Sequence, residues 1–454
     1  MIEKLEKTVH ITNYYHRNSG GISTSYNALM AAAERHQRKM ALIVPGEKDE
    51  TEIVNDFAKI HYVAAKYSPV FDKRYRIIMP WQYLPGGSSI RKILLEERPQ
   101  MVEVTDKYTL SMLGAMIRTN KFKQLGRPML VHFSCERMDD NIASFLSGGS
   151  IGKWVSRRLM GNYNFPSFDF HIANSTYTAE EFYASVAAKE NPRRSKWFIN
   201  KTWRWLKAPR VPVRDRIYVC PRGVDIRQFR PDRRSAAIRK ELAERAGVPV
   251  DALLLLYAGR ISPEKNIPLL IEMMKLLAAR TDHDVRLIVA GAGPLAETLE
   301  AEGQQLGEKK IVQLGHLDKE SLANYYANVD VFVHPNPREP FGIAPLEAMA
   351  SGVATVAPNA GGILSYATDD NIWLTEPNAD AFAAAVLDAA SNIEARELRI
   401  AAALETARSN TREASTDNLF ATYDKLYDYF QRNLELFTDR EAASRFSFTE
   451  LLDA

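Results

Sequence analysis

The clearest indication of the fold is a nine-residue stretch, Glu339-Pro340-Phe341-Gly342-Ile343-Ala344-Pro345-Leu346-Glu347. It follows the apolar, β-rich run 329–335 and leads into 348–352, which is predicted to be a short helix closed by a glycine. The two glutamates therefore flank a strand-to-helix turn. In an open α/β sheet such a turn lies at the carboxyl edge of the strands, where ligands bind.

The middle of this stretch is predicted to bind an anion. Phe341, Gly342 and Ile343 lie at the start of the helix, where free backbone N–H groups and the helix dipole attract negative charge. A phosphate with polyol groups on either side would satisfy both these amides and the carboxylates of Glu339 and Glu347.

With Pro-Phe-Gly inside it, the stretch resembles the E-x7-E signature of the retaining glycosyltransferases of family 4, which have two Rossmann-like domains (the GT-B fold). Two further segments resemble this family. One is 257–266, with Arg260 at a strand end and Lys265 five positions later, and the other is 221–231, with its Gly-Val-Asp, Phe and Pro. The resemblance is to the mannosyltransferase-like branch and is strongest after residue 217.

Composition is typical of a large soluble enzyme. The chain has 454 residues, enough for two or three domains, and its hydrophobic content of 46% can fill sizeable cores. No apolar run approaches a membrane span, and the charged start does not resemble a signal peptide. The only cysteines, Cys135 and Cys220, favour a reducing compartment and exclude a thiolate metal site. We therefore expect a cytoplasmic protein, and the net charge of +3 gives no reason to expect nucleic acid as a partner.

Apolar strand-like runs alternate with helical stretches along the chain, which predicts parallel sheets covered on both faces. The fold class we expect is α/β, with two Rossmann-like domains facing each other across a cleft. The predicted strand runs are 9–13, 40–45, 101–105, 129–134 and 171–174, then 253–258, 286–290, 311–314, 329–334, 353–357 and 372–375.

We predict a first domain at 1–208, a linker at 209–224 and a second domain at 225–416. The resemblance implies that the first domain binds the acceptor and that the second binds the nucleotide sugar. An amphipathic run begins at residue 417 and has apolar residues at helical spacing. By the resemblance, the segment 417–454 returns to the first domain. The alternative is a helix that caps the second domain alone.

A glycosyl donor departs as a nucleoside diphosphate, whose developing negative charge needs a metal ion or fixed cations. Arg260 and Lys265 can supply those cations, so we expect neither a metal nor a cofactor. The one Asp-x-Asp in a plausible context, at 282–284, precedes a predicted strand and so lies at the wrong edge of the sheet for a metal site.

The donor site is predicted to include glycines at strand ends, where backbone can approach a ligand closely. Gly291-Ala292-Gly293 only weakly resembles a dinucleotide fingerprint, because its spacing is short. The resemblance implies that Glu347 binds the ribose and that Glu339 binds a hydroxyl of the transferred sugar. The expected donor-binding residues are Gly20, Gly21, Gly259, Gly291, Gly293, Phe341, Gly342, Ile343 and Glu347.

One motif departs from the family. The mannosyltransferase-like branch has Ser-His-Glu-Arg at the end of a first-domain strand, with the histidine near the reaction centre, whereas this chain has Ser134-Cys135-Glu136-Arg137. We place Cys135 with Glu339, Arg260 and Lys265 among the catalytic residues, with an altered donor sugar, rate or activity as the consequence. A nucleotide-sugar-binding regulatory protein and a nucleotide-sugar epimerase on the same fold remain alternatives.

The segment 189–214 has nine Lys or Arg residues, one acid, and three tryptophans, Trp197, Trp203 and Trp205. Basic residues interleaved with aromatic ones suit an anionic membrane surface. The alternative is an ordinary helix pair whose tryptophans pack on the domain. We therefore predict a glycosyltransferase that moves a hexose to a lipid-linked, saccharide or small-molecule hydroxyl, in polysaccharide or glycolipid biosynthesis, with peripheral contact at the cytoplasmic membrane face.

Overall fold

The computed structural model describes residues 4–15, 21–68, 76–84, 87–145, 149–187 and 193–452. The chain divides into two compact units. Unit 1 consists of Met1–Pro221 and Thr416–Ala454, and unit 2 is Arg222–Ser415.

Unit 1 is built on an eight-stranded sheet with the order β3-β4-β2-β1-β5-β6-β7-β8, in which only the β3–β4 pairing is antiparallel. The central strands are buried on both faces, as parallel strands covered by helices must be. The strands are β1 Lys7–Ile11, β2 Lys39–Gly46, β3 Glu50–Asn55, β4 Ala58–Ala64, β5 Met101–Val104, β6 Met129–Ser134, β7 Phe170–Ala173 and β8 Ile217–Val219.

Helices cover this sheet and connect its strands. A π-helical turn, Met160–Asn164, joins two of them, so that residues 149–167 form one continuous helical run. The helices before unit 2 are α1 Gly21–Ala32, α2 Ser89–Glu97, α3 Ser111–Arg118, α4 Met138–Phe145, α5 Gly149–Leu159, α6 Phe165–Ser167, α7 Thr176–Val186 and α8 Arg193–Leu206.

Unit 2 has a six-stranded parallel sheet with the order β11-β10-β9-β12-β13-β14. Its strands are β9 Leu253–Ala258, β10 Val285–Ala290, β11 Ile311–Gly315, β12 Val331–Val333, β13 Ala354–Pro358 and β14 Trp373–Thr375. Its helices are α9 Ala236–Ala246, α10 Ile267–Arg280, α11 Ala296–Leu306, α12 Lys319–Asn328, α13 Ile343–Ala350, α14 Ala379–Ser391 and α15 Ile393–Ser409.

The chain then returns to unit 1 through α16 Arg412–Arg432, followed by α17 Leu434–Thr438 and α18 Arg440–Arg445. The apolar face of α16, which includes Phe420, Tyr423 and Tyr427, packs into the hydrophobic core of unit 1. The Tyr423 hydroxyl donates a hydrogen bond to Glu103, a buried carboxylate on β5.

The two chain segments that connect the units are hydrogen-bonded to each other. Val224 N–H donates to the Asn410 carbonyl at 2.9 Å, and Arg412 N–H donates to the Val224 carbonyl at 2.7 Å. A Cβ atom on Gly223 would lie 2.1 Å from the Thr411 carbonyl oxygen, so only glycine fits where these segments meet. Both ends of unit 2 therefore lie side by side.

The prediction of an α/β fold with two parallel-sheet domains is confirmed. All eleven predicted strand runs overlap an observed strand, but three strands were missed. Residues 217–221 were predicted as linker, yet Ile217–Val219 forms β8, because three residues show no periodicity and the pairing with β7 comes from the fold. The β3–β4 hairpin was missed because β3 lies in solvent and has no buried face.

None of the helices in the described ranges combines the length and hydropathy that a bilayer crossing requires.

Candidate active site

The predicted site residues of unit 2 lie where the strand order of the sheet reverses. From β9 the chain passes to β10 and β11 on one side, whereas β12, β13 and β14 follow on the other. At such a switch point the loops after the two central strands diverge and leave a crevice at the carboxyl edge. The loop after β9 carries Arg260 and Lys265, and the loop after β12 carries Glu339.

Lys265 and Glu339 form an ion pair across this switch point, with 2.6 Å between Nζ and Oε2. Asn336 Nδ2 donates a second hydrogen bond to the same oxygen at 2.9 Å. Burial alone would raise the pKa of Glu339, but the Lys265 ammonium and the Asn336 amide lower it to about 2. Glu339 is therefore a fixed negative charge at any physiological pH.

The loop that carries Lys265 is held in place by its neighbours. Pro263 begins a single 3-10 turn that ends at Lys265, and Asn266 then adopts a left-handed conformation with φ of 56°. The Asn266 side chain donates to the Pro335 carbonyl at 3.0 Å and so ties the β9 loop to the β12 loop. This contact fixes the distance between the two halves of the site.

His334 follows β12 directly and is a site residue that the sequence analysis did not single out. Its imidazole is buried, with Nε2 3.8 Å from Glu339 Oε2. Within the described residues neither ring nitrogen has a hydrogen-bond partner. Burial lowers the pKa of His334 to about 4, so the ring is neutral at pH 7. Its place directly after a strand, on the edge that carries Glu339, is the signal that would have identified it.

The start of α13 is held by close packing. Gly342 adopts φ of 85°, and a Cβ atom there would lie 2.4 Å from Ile363 Cγ2, so both the backbone and the space require glycine. Tyr366 donates its hydroxyl to the Gly342 carbonyl, and the Phe341 ring packs in the core against Tyr366. The Phe341 side chain therefore faces the core, and close packing fixes the backbone conformation at the start of α13.

The pKa of Glu347, on α13, is raised, whereas that of Glu339 is lowered. Burial raises its pKa to about 7, although Arg412 and Lys319 act to lower it. The Tyr326 hydroxyl donates to Glu347 Oε2 at a long 3.4 Å. Glu347 therefore titrates near neutral pH. Arg412 and Lys319 were not predicted, since they are distant in sequence and no local spacing connects them with Glu347.

Arg260 extends from the end of β9 and is more exposed than Lys265. Its guanidinium lies 4.0 Å from Glu264 on the same loop, whereas Lys265 pairs with Glu339.

The glycines after β9 and β10 are explained by contact between their own loops. A Cβ atom on Gly291 would lie 1.8 Å from the Gly259 carbonyl oxygen, and one on Gly293 would lie 2.2 Å from that of Ile261. Ile261 N–H donates to the Ala292 carbonyl at 3.1 Å. The loops need glycine in order to pack against each other, whether or not a ligand is present.

In unit 1, Gly20 lies outside the described residues, and Gly21 is the first residue of α1. Cys135 follows β6 as predicted, but its thiol is buried in the hydrophobic core that also contains Tyr15 and Tyr26. His132, on β6, is fully buried among aromatic rings and is a core residue.

The tryptophans of the basic segment differ in position, and one prediction was wrong. Residues 188–192 lie outside the described residues, and α8 contains all three tryptophans. Trp203 is completely buried, and its indole N–H donates to the Gly161 carbonyl at 2.7 Å, so it is a core residue rather than part of an acceptor or membrane surface. Trp197 and Trp205 point outward from the other face of the helix.

The described residues contain no group of three or more His, Cys, Asp or Glu side chains arranged to hold a metal ion. Asp282, His283 and Asp284 are exposed and precede β10, at the amino edge of the sheet.

The known proteins that this chain resembles in sequence are glycosyltransferases. Residues 238–405 match the family model for glycosyl transferases group 1. A GDP-mannose-dependent alpha-(1-6)-phosphatidylinositol dimannoside mannosyltransferase of Mycobacterium tuberculosis is 27% identical over 87% of this chain and 90% of its own length. A D-inositol 3-phosphate glycosyltransferase of Xylanimonas cellulosilytica is 34% identical over 47% of this chain and 51% of its own length.

Solved structures share the fold over almost the whole chain. Anabaena Alr3699/HepE, in complex with UDP and glucose, superposes with a TM-score of 0.62 at 17% identity, covering 92% of this chain and 99% of HepE. Sucrose-phosphate synthase from Thermosynechococcus elongatus superposes with a TM-score of 0.65 at 18% identity, covering 93% of this chain and 100% of that chain.

Proposed function

We propose that this chain, which is a glycosyltransferase of family 4 with the GT-B fold, transfers a hexose from a nucleotide-diphosphate sugar to an acceptor hydroxyl with retention of configuration. The observation that carries the proposal is the ion pair of Lys265 and Glu339 across the switch point of unit 2, beside the start of α13. This arrangement puts a cation, a carboxylate and helix N-terminal amides at one crevice.

In this proposal the diphosphate binds the backbone amides at the start of α13 and the ammonium of Lys265. Arg260 contributes a second cation by turning from Glu264 toward the phosphate. Glu339 accepts a hydrogen bond from a hydroxyl of the sugar, for which its low pKa suits it, because a permanently ionised carboxylate is a strong acceptor. Glu347 accepts from the ribose.

His334 supports the presence of a ligand at this crevice. A buried polar nitrogen without a hydrogen-bond partner costs roughly 1–3 kcal/mol. A donor hydroxyl or phosphate oxygen beside Glu339 would provide that partner. The neutral ring can donate from one nitrogen and accept at the other, so it suits either group.

The transfer we propose proceeds on one face of the sugar. The bond from the anomeric carbon to the departing phosphate oxygen breaks, and a bond from that carbon to the acceptor oxygen forms on the same side. The acceptor proton passes to the departing phosphate oxygen, so no residue acts as a nucleophile. Lys265 and the α13 amides stabilise the negative charge that develops on the diphosphate. Transfer therefore needs neither a metal ion nor a cofactor.

The relatives support a narrower choice of substrates. One is named for GDP-mannose and a phosphatidylinositol dimannoside, and another for D-inositol 3-phosphate. We therefore propose GDP-mannose as the first donor to test, and a polyol hydroxyl on a lipid-linked or soluble saccharide as the acceptor. Cys135 in place of the family histidine is proposed to tune the rate or the sugar preference.

We also propose that the protein acts in the cytoplasm, with peripheral contact at the membrane face when the acceptor is a lipid. Neither Cys135 nor Cys220 forms a disulfide, which supports a reducing compartment. The outward-facing aromatic residues of α8 support the membrane contact.

The test is a panel of UDP-, GDP- and ADP-sugars scored for thermal stabilisation of the protein and for slow donor hydrolysis. We expect one base to stabilise the wild type, and Lys265→Ala to lose that stabilisation. Lys275→Ala is the control for loss of a lysine charge, because Lys275 forms a solvent-exposed ion pair of similar length, 2.8 Å to Glu272, outside the site. Equal stabilisation of all three proteins would remove Lys265 from the donor site, and no stabilisation by any nucleotide sugar would overturn the proposed function.

A further inference from the structure

Helix α8 has two sharply different faces. Ile199, Trp203 and Leu206 are fully buried in the core of unit 1. On the opposite face, Trp197 and Trp205 are 64% and 70% exposed, and they lie eight residues apart, so they project from the same side of the helix. An ordinary core helix would not place two of the chain's six tryptophans in water.

A basic residue occupies the same outward face. Lys201 lies midway between Trp197 and Trp205, and its ammonium is 5.3 Å from the centroid of the Trp197 ring. Four-residue spacing aligns the three side chains in one stripe. Phe198, which is also exposed, widens the aromatic surface.

Helix α5 repeats this arrangement. Trp154 is 58% exposed, Ile151 is exposed one turn before it, and the Arg158 guanidinium lies 5.4 Å from the Trp154 ring centroid. The helical run that begins with α5 contacts α8 directly, through the hydrogen bond from Trp203 to the Gly161 carbonyl. Helix α8 therefore packs against the π-helical turn that continues directly from α5.

Charge indicates the partner. Helices α5 and α8 together contain eight Lys or Arg residues and no Asp or Glu. Two of the eight, Lys153 and Arg157 of α5, lie 3.9 and 3.7 Å from the α4 carboxylates of Asp140 and Asp139, so the remaining basic residues carry the attraction. A protein partner that covered these aromatic residues would have to be acidic along two helices. An anionic lipid surface provides negative charge along both helices. Tryptophan favours the headgroup region, and each nearby basic residue adds about 1 kcal/mol of attraction.

We infer that α5 and α8 form one docking surface for anionic phospholipid, with Ile151, Trp154, Trp197 and Trp205 entering the interface and Lys201 and Arg158 contacting headgroups. The inference rests on the proposed function for the lipid-linked acceptor, but the docking does not require turnover. It differs from the earlier sequence prediction in excluding Trp203 and in including α5.

The test is sedimentation of the full chain with vesicles of phosphatidylcholine alone or mixed with phosphatidylglycerol. We expect binding only to the mixed vesicles, and we expect added salt to weaken it. Lys201→Glu should weaken binding at least about fivefold, the effect of losing one interfacial basic charge. Trp197→Ser with Trp205→Ser, and separately Ile151→Ser with Trp154→Ser, should each weaken it further, because both helices contribute.

Ile393→Ser with Leu398→Ser is the matched control, since these α15 residues of unit 2 are 59% and 66% exposed. It should bind vesicles as the wild type does. Thermal stabilisation by nucleotide sugar should persist in all folded variants, so loss of docking is distinguishable from loss of donor binding. If a variant fails to fold, quenching of wild-type tryptophan fluorescence by brominated lipid provides the second measurement. Any of four results would overturn the inference. They are unchanged sedimentation of the α5 and α8 variants, an equal loss of binding in the control variant, no quenching by brominated lipid, and binding of the protein to RNA but not to vesicles.

Discussion

Removing Lys265 should expose the energetic cost of the carboxylate that it neutralises. Glu339 has a pKa of about 2, against an ordinary value of 4.5. The difference of about 2.5 in pKa corresponds to about 3 kcal/mol in favour of the ionised form in the folded protein. Burial opposes ionisation, and the largest favourable contribution comes from Lys265. The Lys265→Ala variant keeps the burial and loses that contribution.

We therefore expect Lys265→Ala to lower the free energy of unfolding of unit 2 by about 2–3 kcal/mol, as for other buried carboxylates left without a partner. Glu339→Ala should cost less, about 1 kcal/mol, because the more exposed Lys265 ammonium can turn to solvent. The double variant should be more stable than the sum of the single effects predicts, by about 2 kcal/mol. Each single variant should also lower turnover by about 10²–10³-fold.

The measurement is native-state hydrogen exchange of the amides of unit 2, which reports the stability of that unit rather than of the whole chain. Turnover is measured alongside it on the same samples. Additive effects within about 0.5 kcal/mol would refute the coupling. Wild-type turnover in either single variant would refute the assignment of the pair to the donor site.

Three further predictions concern titration, metal and the cysteine. Because folding raises the pKa of Glu347 from 4.5 to about 7, its stabilising effect is complete below about pH 4.5 and lost as the pH rises through 7. Relative to wild type, Glu347→Gln should therefore abolish up to about 3 kcal/mol of pH-dependent stability in thermal unfolding across this range. EDTA should leave the rate of transfer unchanged, and a requirement for a divalent ion would show that Lys265 and Arg260 do not carry the phosphate charge. Cys135→His should retain donor binding and alter the rate or the sugar preference in competition assays, since imidazole adds volume and hydrogen-bonding capacity; unchanged preference and rate would exclude any influence of this position.

Eleven of the fourteen observed strands could be predicted, because most of them are buried on both faces and are rich in apolar residues. Glu339 and Lys265 could also be located, since each follows a predicted strand and the ends of parallel strands share one edge. The ion pair between Glu339 and Lys265 could not be predicted, because it depends on β9 and β12 being neighbours in the sheet. That order arises from long-range packing.

The tryptophans show a different limit. Composition marks the segment 189–214 as basic and aromatic, but it does not tell which ring faces water. Trp203 and Trp205 are two positions apart, and the helix turns them about 200° from each other. Trp203 therefore packs in the core and Trp205 is exposed to solvent. Which of the two is buried can be predicted only when the position of the helix on the domain is known.

The return of the chain to unit 1 has a consequence for synthesis on the ribosome. Unit 2 is continuous in sequence, and its two ends are hydrogen-bonded to each other, so it can fold as soon as residue 415 has emerged. Unit 1 cannot complete its folding until the segment after residue 415 has been synthesised, although most of unit 1 is translated first. Until α16 is translated, the buried guanidinium of Arg38 lacks Asp424, and the buried carboxylate of Glu103 lacks the Tyr423 hydroxyl. The first domain to be translated is therefore the last to be completed, and nascent chains that stop before residue 416 expose an unfilled core to chaperones and proteases.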